Sequence, residues 1–139
     1  MIRRKVIALL VMLHAYLTQV SEKYPEAKQA EKQCLFLLSA VSETLPQNLR
    51  MTFSSQIRRD FNRVPKSDIM TDELFIACII DMIAKLKQVC YDSDNDRLKA
   101  VGSAVDSIYN AVVDCVEPDY SDIEKASSIV DEYFKKLKI

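Results

Sequence analysis

VIALLVMLHAYL, residues 6–17, follows Arg3, Arg4 and Lys5, and it reads three ways: the apolar middle of a secretion signal, a membrane anchor, or one helix of a soluble core. A spanning helix needs roughly twenty apolar residues to cross the hydrocarbon layer, and these twelve fall well short. As a signal peptide the stretch has a basic start and an apolar run, with Leu13 and Ala15 as a weak cleavage pattern. The cysteines argue against export. Cys34, Cys78, Cys90 and Cys115 each lie inside an apolar helical stretch and no two are spaced C-x-x-C. A zinc site or redox dithiol needs closer ligands, and a secreted disulfide scaffold is shorter and denser in Cys. They predict four reduced thiols acting as small core residues in a cytoplasmic, reducing compartment. A soluble helix with no membrane span is the reading that remains for residues 6–17.

Composition extends that reading to the whole chain. At 139 residues it has the length of one domain, able to bury about two-thirds of the surface its unfolded form exposes. Apolar residues make up 49% and charged residues 28%, the balance of a globular protein and not of a disordered one. One Gly and four Pro leave few positions for tight turns. Strands and hairpins need many such positions and helices almost none, so an all-α fold is expected.

Six helical segments can be drawn, joined by short connections: 2–23, 25–44, 46–62, 71–91, one starting near Ser93 and one starting at Ser121. Pro25 and Pro46 suit first turns. Thr71 with Asp72 and Glu73 reads as an N-cap and an acidic first turn. Ser93 with Asp96 is a near capping box, and Ser121 with Glu124 a full one. Leu98, Val101, Val105, Ile108, Val112 and Cys115 step by three and four, as do Ile123, Ala126, Val130, Tyr133 and Leu137. Seams this short predict a bundle and not a free coiled coil. LFIACIIDMIA, residues 74–84, is apolar nearly all round and reads as the central helix. Its Asp81 falls on a narrow polar line with Glu73, Lys85 and Gln88, which predicts a solvated stripe. The fold expected is a single-domain bundle of five to six helices spanning residues 1–139.

The first helix has an awkward side. Its polar line of Arg4, His14, Thr18 and Ser21 is interrupted by Ile7 and Val11, where a surface helix would stay wet. Either the helix is central or that side is covered by a protein partner or a second copy. With the central place assigned to residues 74–84, the second alternative is expected, and Ile7, Val11 and His14 become candidate contact residues. His14 is the only histidine. Position 11 is Val, so the E-x-x-H of di-iron bundles is missing, and H-E-x-x-H is absent too; a structural role is expected for it.

No catalytic motif, metal site or cofactor site is expected. Asp92, Asp94 and Asp96 mimic the start of a calcium-binding loop, but Arg97 stands where Gly is needed and Ser103 where a bidentate Glu is needed. One glycine cannot build a phosphate-cradling loop, and no E-x-x-E or G-x-S-x-G occurs. Only Cys–His or carboxylate arrangements assembled from distant positions would make the protein an enzyme.

Charge is unevenly placed. Residues 1–70 carry eleven Lys or Arg against six acids, and residues 71–139 carry eight against fourteen. Such a dipole can steer a partner or stack copies head to tail. In segment 46–62 and just beyond, Leu49, Phe53, Ile57, Phe61 and Val64 share one face, leaving Arg58, Arg59 and Arg63 opposite, with Lys66 past the end. These four are candidate partner-binding residues. A non-enzymatic interaction protein, a regulator, adaptor or inhibitor that also self-associates, is the function expected. The second reading is nucleic-acid binding by the basic patch on the third helix. The chain's net charge of −1 and the apolar character of the following helix speak against it.

Overall fold

A computed structural model of the chain describes residues 2–42 and 71–136. Among them five α-helices form: α1 (Ile2–Ser21), α2 (Glu26–Ser42), α3 (Asp72–Tyr91), α4 (Asp96–Val112) and α5 (Tyr120–Lys136). No strand occurs among the described residues, and the helical bundle expected from composition is what forms. The expected segment 46–62 lies outside the described residues. None of the described helices is long and apolar enough to cross a membrane.

Four helices close a ring: α1 packs on α2 and α3, α3 on α4, and α4 back on α2, while α5 lies against α3. Facing three neighbours, α3 buries residues over most of its circumference, among them Leu74, Ile76, Ile79, Met82, Ile83 and Leu86. Its polar line is only half wet. Asp81 pairs with Lys85, and Lys85 Nζ also reaches Asp131 Oδ1 of α5 at 3.2 Å. Burial alone pushes the Lys85 ammonium down, but the two carboxylates outweigh it and hold it above its usual range.

The first helix shares the central place. Residues 6–13 are all at 2% exposure or less. Eight consecutive positions exceed two turns and so point in every direction, which leaves this stretch of α1 enclosed within the chain. The expectation that a partner covers Ile7 and Val11 is therefore corrected: both are core residues. Two helices, α1 and α3, thus lie side by side with long apolar stretches buried. Tyr16 meets Phe75 edge to face, with ring centroids 5.5 Å apart, tying α1 to α3. Cys34 Sγ donates to the Leu10 carbonyl at 3.4 Å and ties α2 to α1.

Helix starts differ from the sequence reading by two residues in two places. Thr71 caps α3 as expected, its hydroxyl oxygen accepting from Leu74 N at 3.2 Å. For α4 the cap is Asn95, whose Oδ1 accepts from Arg97 N and Leu98 N. Ser93 instead accepts from Asn95 N at 3.0 Å and shapes the turn before the cap. For α5 the reciprocal box is Asp119 with Asp122: Asp119 Oδ1 accepts from Asp122 N at 2.9 Å, and Asp122 Oδ2 accepts from Asp119 N at 3.0 Å. Asn95→Ala or Asp119→Ala is expected to lower stability by about 1 kcal/mol, and Ser121→Ala to change it by less than about 0.5 kcal/mol. Urea denaturation of the three variants checks this ordering.

The α4 seam buries as its spacing predicts, through Leu98, Val101, Val105, Ile108 and Val112. In α5, Ala126, Val130 and Tyr133 are buried but Ile123 is 50% exposed. Leu137 lies outside the described residues.

Candidate functional site

Of the candidate contact residues, Arg58, Arg59, Arg63 and Lys66 lie outside the described residues. Ile7 and Val11 are core. His14 is half-buried on α1 and faces α2, with Nε2 3.7 Å from Glu31 Oε1. Glu31 is the centre of a small polar cluster between the two helices. Ser21 Oγ stands 2.9 Å from Glu31 Oε2, and Thr18 Oγ1 3.3 Å from Oε1, while each hydroxyl also lies 2.9 Å from a backbone carbonyl one turn back in α1. A hydroxyl has one proton to give, so carboxylate and carbonyl compete for it. Nucleophilic catalysis places the imidazole between the hydroxyl and the acid. Here the carboxylate receives the hydroxyls and itself stands between them and the imidazole. The cluster therefore fastens α1 to α2 and gives Ser21 no activating base of the triad kind.

The cysteines are free, with Cys34, Cys78 and Cys90 buried and Cys115 half-buried. Loss of hydration pushes the Cys34 and Cys78 thiols up to about 12 and Cys90 up to about 11, so the reactive thiolate is suppressed in all three. Among the described residues, no three His, Cys, Asp or Glu side chains are grouped to hold a metal ion. With iodoacetamide at pH 8, Cys115 is expected to be alkylated first, with the other three modified only as the protein opens. Intact-mass spectrometry over time reads the order. A thiol whose pKa is higher in the folded than in the unfolded state stabilises the fold fully below the unfolded value. That contribution declines as pH rises through the window between the two values. The melting temperature is accordingly expected to fall as pH rises above about 9.

On the outer side of the ring, α2 and α4 are separated by a groove. One part, of about 370 Å³, is lined by Phe36, Leu37, Ala40 and Val41 of α2 and by Arg97, Leu98, Ala100, Val101 and Ala104 of α4. The adjoining part, of about 330 Å³, shares Phe36, Leu37 and Ala104 and adds Lys32, Gln33 and Ser107. Positions rising along α2 meet positions falling along α4, so the helices run antiparallel and the groove follows them. Small side chains open it: Ala40, Ala100 and Ala104 stand where larger residues would fill the seam. Phe36 stands 73% exposed at its rim, with Leu35 beside it at 45%. Gln33 belongs to the groove wall, and its Oε1 is buried without a hydrogen-bond partner, a costly state.

Sequence reasoning missed this groove. Its one signal was residues 34–38, CLFLL: five consecutive apolar residues on a helix that is otherwise polar on one side. They cover more directions than a ring of four helices can bury.

Compared with family models, with curated proteins and with solved structures, the chain matches none of them.

Proposed function

We propose that the protein acts by protein–protein contact through the α2–α4 groove, as a non-enzymatic regulator, adaptor or inhibitor. The observation that carries this reading is an apolar groove of about 370 Å³ rimmed by a phenylalanine that is 73% exposed. Burying a side chain of this size is worth about 1.5–3 kcal/mol, and aromatic anchors of this kind dominate protein interfaces. The groove suits the helix-in-groove mode, in which an apolar helix face supplies anchors at helical spacing. A cytoplasmic, reducing setting belongs to the same reading, since three of the four cysteines are buried in apolar helices and act there as small core residues.

A photocrosslinking residue placed at Ala104, in the groove, tests the reading when the protein is expressed in its native host. A discrete adduct is expected. Phe36→Glu should suppress it, and the same crosslinker at Ser128, on the exposed side of α5, should not form it. No adduct at Ala104, or equal adducts at both positions, would overturn the groove as a contact surface.

A further inference from the structure

We infer that the occupant of the groove is a second copy of this chain, which inserts the start of α5. The inference rests on the groove being a docking surface, as proposed above. The start of α5 carries the complement the groove needs. Tyr120 is 75% exposed and Ile123 50% exposed. Being three apart on a helix, they share one face, and neither is explained by the bundle's own core. Their surroundings are acidic: residues 114–124 contain Asp114, Glu117, Asp119, Asp122 and Glu124 and no Lys or Arg. Among the described residues of the groove wall the charges are the reverse, with Lys32 at one end, Arg97 at the other, and no acid between them. An apolar pair in an acidic collar thus meets an apolar groove with basic ends. Opposed charges of this kind set orientation and speed encounter.

Topology makes the contact intermolecular. The main contacts of α5 are with α3, and those of α2 are with α1 and α4. Among the described helices, α5 is thus held on α3, a helix that does not line the groove. A knob on one copy can fill the groove of the next, leaving its own groove open for a third. This is a heterologous, head-to-tail contact that grows into short chains or closes into a ring. It would cover Phe36, Tyr120 and Ile123 together.

Light scattering after size exclusion, over a dilution series of the full chain, tests this together with two variants. The wild type is expected to rise above monomer mass with concentration, with a dissociation constant roughly tenfold weaker in high salt. Phe36→Glu and Ile123→Glu should each weaken self-association by roughly thirtyfold or more, the scale of losing an interface anchor. Both positions are exposed, so helical circular dichroism and melting should be unchanged, and Tyr120→Glu serves as a second knob variant. Mixed one to one, Phe36→Glu supplies an intact knob and Ile123→Glu an intact groove, and a discrete dimer should appear that neither forms alone. Self-association that survives Ile123→Glu and Tyr120→Glu but not Phe36→Glu would overturn the knob, pointing to groove-to-groove pairing. A wild type that stays monomeric while Ala104 crosslinks to a different protein would overturn the second copy and keep the groove. A monomer with no adduct at Ala104 would overturn both.

Discussion

Ile7→Asp is expected to abolish cooperative folding, and Ile7→Ala to lower stability by about 3 kcal/mol, within the range for emptying a buried aliphatic site. Ile7 has no exposed surface, and its neighbours from Val6 to Leu13 are closed off with it. A carboxylate there would be shut away from solvent in an apolar core. Its effective desolvation penalty is several kcal/mol even after relaxation, comparable with the roughly 5–15 kcal/mol that holds a whole domain together. Phe36→Asp introduces the same charge on α2 and should leave the urea midpoint nearly unchanged, because Phe36 is already 73% exposed. The paired experiment separates the two roles an apolar residue can have here, support of the core and display to a partner. Ile7→Ala should shift the midpoint with an unchanged slope, since the extent of surface exposed on unfolding stays the same. An Ile7→Asp protein that folded as a stable monomer would put that side of α1 at a surface, where the interrupted polar line of the sequence first suggested it.

That interrupted line shows what sequence pattern carries and what it leaves open. Ile7 and Val11 on a line with Arg4 and His14 say correctly that this side of the helix is not wet at its start. They do not say what covers it, because pattern reports burial and not the identity of the neighbour. The bundle and the α4 seam were legible because residues at three- and four-residue steps have one satisfactory destination. The helix starts were legible only to within two residues. Two rival caps satisfy the same spacing rule before α5, Asp119 with Asp122 and Ser121 with Glu124, and the direction in which the chain enters the helix decides between them. The groove was the least legible feature. It depends on α2 lying beside α4, with Ala40, Ala100 and Ala104 in the seam between them, a pairing between segments some sixty residues apart that no local pattern encodes. The arginine patch of segment 46–62 is a reading of the sequence alone.

The chain's single glycine sets the distance between α3 and α4, and Gly102→Val is expected to lower stability by about 3 kcal/mol. Gly102 is buried in the middle of α4, where Ala would ordinarily gain about 1 kcal/mol of helix propensity. A Cβ placed there would lie 3.0 Å from Cys90 Cβ and 3.3 Å from Tyr91 Cε1. Carbon pairs sit comfortably at about 3.5–4.0 Å, so something must move by several tenths of an ångström. The half-exposed Tyr91 ring can swing aside. Cys90 Cβ cannot, being one bond from the backbone of α3, so the helices themselves must separate. That strain belongs to the overpacking range of about 1–3 kcal/mol and outweighs the propensity gain. Gly102→Ala is accordingly expected to be destabilising by about 1 kcal/mol, and the two further methyls of Val deepen the loss. A double-mutant cycle locates the cause. Cys90→Ala keeps the offending Cβ and should show almost no coupling to Gly102→Ala, whereas Cys90→Gly removes it and should recover most of the loss attributable to the clash. Rescue by Cys90→Ala would place the crowding at the thiol and not at the helix backbones. The consequence reaches the groove, because Leu98, Val101 and Ala104 line it from the same helix. A shift of α4 relative to α3 also moves that wall of the groove, so Gly102→Ala should change groove contacts as well as stability.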